Sequence, residues 1–310
     1  MWTPLARWAG LALGVVDRPG DDLKIHGSPV PLLGGVAVIA STMGTLAVFG
    51  RPLPVAETIA VAAALAVGLA DDVRPRPPWF RAGVLAAAGV VLAVGGVRLV
   101  PFGALGAIGT VLLTMACANA VNIMDGQDGL AGGVAAVAAV GMAVISSLAG
   151  DPVGVALGAA LAGGLAGFLI WNRPPARIFL GNGGAYAVGA TLAILFARIS
   201  ADGWSGALAA GTCLGVFVIE LTLTVARRWR SARPLGAGDR LHSYDVLALG
   251  GNRGAVTLFF WGLGALAAAG GVLVSRLPVS IAAPAVGAMA LGGLVYGAWL
   301  SQAPRRTSGV

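Results

Sequence analysis

Long apolar runs separated by short polar stretches occupy almost the whole chain. Ten of these runs approach the ~20 residues that a helix needs to cross the hydrocarbon core of a membrane. The pattern therefore predicts an all-α integral membrane protein, built as a single polytopic domain over residues 1–310. The predicted spans are residues 30–50, 53–70, 82–100, 103–121, 130–149, 152–171, 183–199, 204–226, 254–275 and 279–300.

The loops between the predicted spans are alternately short and long, so the longer loops all lie on one side of the membrane. That side holds residues 17–29, 71–81, 122–129, 172–182 and 227–253, together with both termini. Only four of the 20 Lys and Arg residues lie on the opposite side, and these are Arg51, Arg98, Arg198 and Arg276. Because positive charge concentrates in cytoplasmic loops, we expect the long loops to face the cytoplasm from a bacterial inner membrane.

Composition agrees with this topology and disfavours several functional classes. Hydrophobic residues make up 57% of the chain and charged residues 11%, whereas soluble domains have ~25% charged residues. The net charge of +7 is explained by topology, since no basic stripe with interleaved aromatic residues suggests nucleic-acid binding. Most acidic residues lie in the long loops, which disfavours a carrier, because a carrier's site is expected near the membrane midplane. Within the spans, only Glu220 is expected to be buried.

The third long loop and the helix before it carry the densest polar chemistry. Two amides, Asn119 and Asn122, and two carboxylates, Asp125 and Asp128, stand among glycines between two apolar runs. Carboxylates so close to hydrocarbon usually face a water-filled site, and carboxylate and amide oxygens suit a hard cation such as Mg²⁺. The simpler alternative is a polar turn at the membrane interface.

A second pair of carboxylates, Asp71 and Asp72, closes the second span. Adjacent carboxylates repel one another, so they persist where a cation or several hydrogen-bond donors hold them. The pair suits a metal site or the handling of a phosphate nucleophile, and Arg81 follows shortly in the chain. A helix-capping acidic pair is the alternative.

The remaining long loops carry weaker signals. The first loop contains Lys24 and His26, which suit phosphate binding but also an ordinary exposed loop. The fourth contains residues 181–184, Gly-Asn-Gly-Gly, which place backbone donors at the start of a helix, where anions bind readily. The fifth contains His242 within a short run of acid, base and aromatic residues. A solvated loop explains that run equally well.

Taken together, these loops resemble the polyprenyl-phosphate N-acetylhexosamine-1-phosphate transferase superfamily, which is glycosyltransferase family 4. The most specific motif is Asn119-Ala-Val-Asn-Ile-Met-Asp-Gly-Gln-Asp-Gly-Leu130, followed by Asp71-Asp72. The first loop, from Asp17-Arg-Pro to Gly34-Gly35, and the fourth, from Pro174 to Gly181, match the corresponding family loops. The motifs follow the family's order, and within the superfamily the polyprenyl-phosphate GlcNAc-1-phosphate transferases are the nearest match.

The resemblance implies a role for each candidate residue. Asp71 would deprotonate or orient the prenyl phosphate, with Asp72 beside it, and Asn122 and Asn182 would hold Mg²⁺, with Mn²⁺ as an alternative. Catalytic and charge-neutralising roles would extend to His242. The other substrate-binding residues implied by the family are Lys24, His26, Arg81, Asn119, Asp125, Asp128, Asn172, Phe179 and Arg240.

The implied reaction transfers a sugar 1-phosphate from a UDP-sugar, expected to be UDP-GlcNAc, to polyprenyl phosphate and releases UMP. Its product is a prenyl-diphosphate-linked sugar for cell-envelope polysaccharides. The catalysis would consist mainly of metal-assisted positioning and charge neutralisation. The superfamily also includes homodimers, so a homodimer is among the expected partners, and no nucleic acid is.

The chain departs from the family pattern at three places. Asn182 stands where the family has a metal-binding aspartate, and Tyr244 replaces the second histidine of a His-x-His motif. The histidine change argues against the muramoyl-pentapeptide enzyme of the superfamily. Relatives have eleven spans, and this chain starts near the expected end of the first one. A weakened relative that binds lipid or nucleotide without efficient turnover is therefore the alternative function.

Overall fold

The computed structural model describes residues 2–20, 27–232, 241–249 and 251–300. These residues form thirteen α-helices, one pair of two-residue strands (β1, Val16–Asp17, antiparallel to β2, Val30–Pro31) and two short 3₁₀ helices (Val100–Leu105 and Ser200–Asp202). The α-helices are α1 (Trp2–Leu13), α2 (Gly34–Val48), α3 (Val55–Val73), α4 (Pro78–Val94), α5 (Gly106–Met124), α6 (Leu130–Leu148), α7 (Pro152–Asn172), α8 (Gly181–Ile199), α9 (Trp204–Cys213), α10 (Gly215–Arg230), α11 (Ser243–Ala248), α12 (Arg253–Val274) and α13 (Val279–Leu300).

The predicted all-α membrane fold is confirmed. Each predicted span coincides with one helix or with the α9–α10 pair. Within the described residues, six helices are long and apolar enough to cross a membrane, and α9–α10 would make a seventh if it is one span. The helices α2 and α4 have only 15 and 17 residues, fewer than the ~20 of a full span. For α2, α3 and α4, membrane crossing therefore stays a prediction.

The structure adds two details to the predicted topology and corrects one expectation. The predicted span 204–226 is broken at Leu214, where α9 and α10 meet at an angle of 76°. Glu220 is buried as expected, yet it is not the sole buried acid in a span, because Glu57 in α3 is only 2% exposed. The helix α1 was not predicted, and it packs against α2.

The helix α8 lies at the centre of the bundle. Sixteen of its 19 residues are buried, and it packs against α3, α5 and α2. Small residues make this possible, since a side chain at Gly68 of α3 would collide with the backbone of Asn182 and Gly183. Close backbone approach through small residues is typical of helix packing in membranes. As a result, the ends of α3 and α5 and the start of α8 meet at one end of the bundle.

Candidate active site

Asp72, in the last turn of α3, caps the start of α8. Its carboxylate accepts hydrogen bonds from the backbone N–H groups of Asn182 (2.9 Å) and Gly183 (3.1 Å). Unpaired N–H groups at a helix start favour a negative group. The capping alternative is thus observed for Asp72, although the capped helix lies about a hundred residues further along the chain.

The conformation of Gly181 makes room for this cap. Its φ is +74°, and a Cβ added there would lie 2.7 Å from Asp72 Oδ2. Asp72 lies beyond the predicted span 53–70, and burial raises the pKa of its carboxyl to about 6. The two N–H donors oppose that rise in pKa, and the neighbouring Asp71 carboxylate adds to it. A proton or a cation close to Asp72 is therefore favoured.

Asp71 is buried and gathers three donors. Its carboxylate accepts from Arg81 Nη1 (2.8 Å), from the backbone N–H of Arg76 (2.7 Å) and from Asn182 Nδ2 (3.0 Å). The Arg81 contact is an ion pair. Arg81 also shares a hydrogen bond with the Tyr186 side chain.

The two predicted metal ligands are in direct contact. Asn122 Nδ2, at the end of α5, donates to Asn182 Oδ1 at 2.6 Å. Asn182 thereby links Asn122 to Asp71 through the two ends of one amide. The motifs of three separate loops converge at this point, as the resemblance implied.

Asp125 adds a further carboxylate to this cluster. It is half-buried, and burial raises the pKa of its carboxyl well above the ordinary value, with Asp72 and Asp128 acting in the same direction. The backbone N–H of Gly181 donates to it and partly offsets the rise in pKa. We refer to Asp71, Asp72, Asn122, Asp125 and Asn182 as the carboxylate–amide cluster.

The donor atoms of the carboxylate–amide cluster fit a hard cation. Carboxylate and amide oxygens are what Mg²⁺ prefers. Burial is the main cause of the raised pKa values of Asp72 and Asp125, and neighbouring carboxylates add to both. In the described part of the chain, no three His, Cys, Asp or Glu side chains are grouped as metal ligands. A bound metal would therefore depend on the amide oxygens of Asn122 and Asn182 as well as on carboxylates.

Asp128 and Asn172 hold the third and fourth loops together. Asp128 Oδ2 accepts from the backbone N–H of Ala176 (2.9 Å). The buried Asn172 accepts from Gly129 N–H (2.9 Å) and donates to the Ile178 carbonyl (2.8 Å). Both ends of the Asn172 amide are thus engaged with backbone, which gives this residue a bracing role in the structure.

Phe179 connects the fourth loop to the first. Its N–H donates to the Pro31 carbonyl at 2.8 Å, and its own carbonyl accepts from Gly34 N–H at 3.0 Å. The side chain is half-buried. The backbone pairing brings the first loop alongside the start of α8.

His242 lies at the start of α11 and packs against α10. It is buried, and its Nδ1 lies 3.1 Å from the hydroxyl of Thr224. Glu220, one turn earlier on α10, accepts a hydrogen bond from the N–H of Ser243. Two side chains of one helix face thus hold the backbone and the ring at the predicted catalytic histidine.

Tyr244 packs against the third loop. Its ring stacks on His242 with centroids 5.2 Å apart, and its hydroxyl donates to the Ile123 carbonyl at 2.7 Å. Gly126 lies so close that a Cβ there would collide with the phenol oxygen. The residue that replaces the family's second histidine therefore supports the loop that carries Asp125.

Comparison with known proteins agrees with this geometry. Residues 55–200 match the model of the family described as "Glycosyl transferase family 4", and these residues include the whole carboxylate–amide cluster. This region is therefore similar to glycosyl transferase family 4.

Curated relatives support the assignment. The phospho-N-acetylmuramoyl-pentapeptide-transferase of Symbiobacterium thermophilum is 37% identical over 110 residues, which cover 36% of this chain and 32% of the relative. The protein of the same name from Synechococcus sp. strain RCC307 is 36% identical over 134 residues, covering 40% and 36%. That of Heliobacterium modesticaldum is 50% identical over 56 residues, 17% of each chain. The chain spans about a third of the length of the first two relatives.

Some residues predicted for the active site lie apart from the carboxylate–amide cluster. Asn119 is exposed and donates to the Met115 carbonyl of its own helix at 2.8 Å. Lys24, His26 and Arg240 lie outside the described residues, so their roles stay predictions.

Two residues around the candidate active site were not predicted from the sequence. Tyr186 is 2% exposed and bonds to Arg81. Gln127 donates to the Arg253 carbonyl (2.8 Å) and to Thr257 Oγ1 (2.7 Å), which ties the third loop to α12. The one available signal was that Tyr186 stands in an otherwise small and apolar stretch and that Gln127 lies between Asp125 and Asp128.

Proposed function

We propose that the protein transfers a sugar 1-phosphate from a UDP-sugar to polyprenyl phosphate, releasing UMP. An oxygen of the prenyl phosphate attacks the phosphorus that carries the sugar, a new P–O–P bond forms, and the bond to UMP breaks. The observation that supports this most directly is the carboxylate–amide cluster at the start of α8, inside the region that matches glycosyl transferase family 4.

Each residue of the carboxylate–amide cluster has a role in this proposal. Asp71 takes the proton of the prenyl phosphate, and Arg81 and Asn182 hold it in position. Arg81 also neutralises phosphate charge. Mg²⁺ or Mn²⁺, held by oxygens of Asn122 and Asn182 with Asp72 and Asp125 nearby, would neutralise the diphosphate when bound.

The donor sugar is part of the proposal. UDP-GlcNAc is the expected donor, because Tyr244 breaks the His-x-His pattern of the muramoyl-pentapeptide enzyme. The relatives named for phospho-N-acetylmuramoyl-pentapeptide transfer make UDP-N-acetylmuramoyl-pentapeptide the competing donor. We further propose that the protein lies in a bacterial inner membrane and that the carboxylate–amide cluster faces the cytoplasm, which contains the UDP-sugars.

The assay is incorporation of label from UDP-[³H]GlcNAc into butanol-extractable lipid, with added polyprenyl phosphate and with Mg²⁺, Mn²⁺ or EDTA. A parallel reaction uses labelled UDP-N-acetylmuramoyl-pentapeptide. Metal-dependent product that is lost in Asp71→Asn, and retained in Asp202→Asn at the opposite end of the bundle, supports the proposal. No product from either donor contradicts it.

One observation favours the second candidate, a relative that binds without efficient turnover. The Asn182 amide bonds to Asp71 and Asn122 at once, so these three side chains hold one another in place without a metal. If UDP binds to the purified protein while neither donor is turned over, this candidate replaces the transferase.

A further inference from the structure

A second polar site lies at the opposite end of the bundle from the carboxylate–amide cluster. It is a cavity of about 510 Å³ between the start of α3, the ends of α4, α6 and α8, and the short segments next to them. Its charged and polar lining residues are Glu57, Arg98, Ser146, Asp151, Arg198 and Asp202. None of these residues has a role in the proposed transferase reaction.

Inside this cavity, Arg198 and Asp151 form a neutral pair. Arg198 Nε donates to Asp151 Oδ2 at 2.9 Å and Nη2 donates to Oδ1 at 2.7 Å, a two-point contact. Arg198 Nη1 reaches Glu57 Oε1 only at 3.5 Å. Because Asp151 compensates Arg198, the formal charges of the three side chains sum to one negative charge, that of the Glu57 carboxylate.

Two buried polar atoms of this cavity have no hydrogen-bond partner. They are Oε2 of Glu57, a residue 2% exposed, and Oγ of Ser146, a residue 1% exposed. Buried polar groups are almost always hydrogen-bonded, and a buried helical serine usually bonds to a carbonyl of the preceding turn. An acceptor and a hydroxyl, both buried and both lining one cavity, indicate a ligand that brings hydrogen-bond donors.

We propose that the cavity binds a primary ammonium group, which donates to Glu57 Oε2 and to Ser146 Oγ. An ammonium brings three donors and the single positive charge that the Glu57–Arg198–Asp151 group lacks. A quaternary ammonium has no N–H to donate, and an anion would be repelled by Glu57. A metal ion fits less well, since the described residues offer no group of three acidic, His or Cys ligands.

Two sources supply a primary ammonium at a membrane surface: the headgroup of an aminophospholipid and a water-soluble amine. Arg98 is exposed and lines the cavity. Its guanidinium would suit the phosphate that adjoins the ammonium in phosphatidylethanolamine. The experiment therefore has one arm for each source.

The lipid arm uses native mass spectrometry of the full chain in detergent, with equal amounts of phosphatidylethanolamine and phosphatidylcholine. We expect the wild type to retain phosphatidylethanolamine preferentially. Glu57→Gln keeps the size of the side chain and should reduce this retention about tenfold, because a charge-assisted hydrogen bond is lost. Asp202→Asn removes the same charge from an exposed lining residue and should leave retention unchanged.

The soluble arm measures thermal unfolding without lipid. Ethanolamine should stabilise the wild type and Asp202→Asn, but not Glu57→Gln, while choline should have no effect on any of them. Stabilisation by ethanolamine without selective lipid retention identifies a soluble amine as the ligand class. If Glu57→Gln is not recovered folded, Ser146→Ala is the deciding variant. It should bind phosphatidylethanolamine and ethanolamine roughly three- to tenfold more weakly than the wild type. The proposal is wrong if phosphatidylethanolamine and ethanolamine bind no better than their choline counterparts, or if Glu57→Gln matches Asp202→Asn.

Discussion

Asn182→Asp restores the carboxylate that the family has at this position, and the contacts of Asn182 predict a loss of stability. In the wild type, Asn182 Nδ2 donates to Asp71 Oδ2 at 3.0 Å. A carboxylate in its place has no donor to offer and sets a second negative charge beside Asp71. Without a metal, the substitution should therefore destabilise the protein.

Two limits bound the stability that Asn182→Asp is expected to lose. At 3.0 Å and an effective dielectric constant near 20, two unit charges repel by about 5.5 kcal/mol. The two carboxylates avoid this repulsion if one of them binds a proton. Protonating a carboxyl group with an ordinary pKa of about 4 costs about 4 kcal/mol at pH 7. The smaller cost wins, so we expect a loss of up to about 4 kcal/mol and uptake of one proton. A cation between the two carboxylates should recover about 2.7 kcal/mol at a concentration one hundred times its Kd.

The assay is unfolding of the purified protein in EDTA and along a Mg²⁺ titration. Asn182→Asp should be less stable than the wild type in EDTA and should gain much more stability from Mg²⁺. If metal occupancy limits catalysis, the half-saturating Mg²⁺ concentration for transferase activity should fall as well. Asn252→Asp is the matched control, because it adds the same charge at an exposed residue outside the predicted spans and the carboxylate–amide cluster.

Either of two results would refute this reasoning. Equal stability of Asn182→Asp and wild type in EDTA would mean that the Asn182–Asp71 hydrogen bond contributes nothing. Equal stabilisation of Asn182→Asp and Asn252→Asp by Mg²⁺ would mean that position 182 is not a metal ligand.

Three further predictions concern other contacts. Asp71→Asn should lower turnover by about 10²–10⁴-fold, as for the loss of a positioned base. UDP-sugar binding should stay intact. Activity above about a tenth of wild type in the lipid-extraction assay would remove Asp71 from the mechanism. Gly181→Ala should cost at least ~1–2 kcal/mol of unfolding free energy, because φ is +74° and the new Cβ would crowd Asp72; thermal unfolding equal to wild type would contradict this. Burial acts to raise the pKa of Asp151, but hydrogen bonds from Arg198 and backbone N–H groups outweigh it and lower the pKa below 3.8. The stability lost in Asp151→Asn should therefore be constant at neutral pH and disappear as pH falls below 3.8; a difference that persists at low pH would show that the Asp151 charge is not its source.

The fold was predictable because burial in a membrane leaves a simple signal. Runs of ~20 apolar residues must be helices, since only helices and closed barrels satisfy their own backbone in lipid. The break at Leu214 left no such signal, because apolar residues continue on both sides of it and Gly215 is one glycine among 49. Its position is decided by the helices that pack around it.

The site was predictable in its residues and not in its contacts. The residue types of the third loop suggested a cation site, and the resemblance supplied the roles of Asp71 and Asn182. The pairing of Asp72 with the start of α8 joins positions 110 and 111 residues apart, which local patterns do not reveal. The contacts of Arg198 with Glu57 and Asp151 were not predicted for the same reason, since they join positions 141 and 47 residues apart.

The central helix α8 has a polar anchor at each end. Asn182 bonds to the carboxylate–amide cluster, and Arg198 bonds to Asp151 at the distant cavity. At 1.5 Å per residue these two anchors are about 24 Å apart, and almost every residue between them is buried. A close-packed helix has little room to bend, so a displacement along its axis at one end is transmitted to the other. If occupation of the cavity shifted Arg198 along this axis, substrate affinity at Asn182 would change, and by thermodynamic linkage substrate would change the affinity of the cavity by the same factor. The lipid composition of one leaflet would then adjust substrate binding at the other.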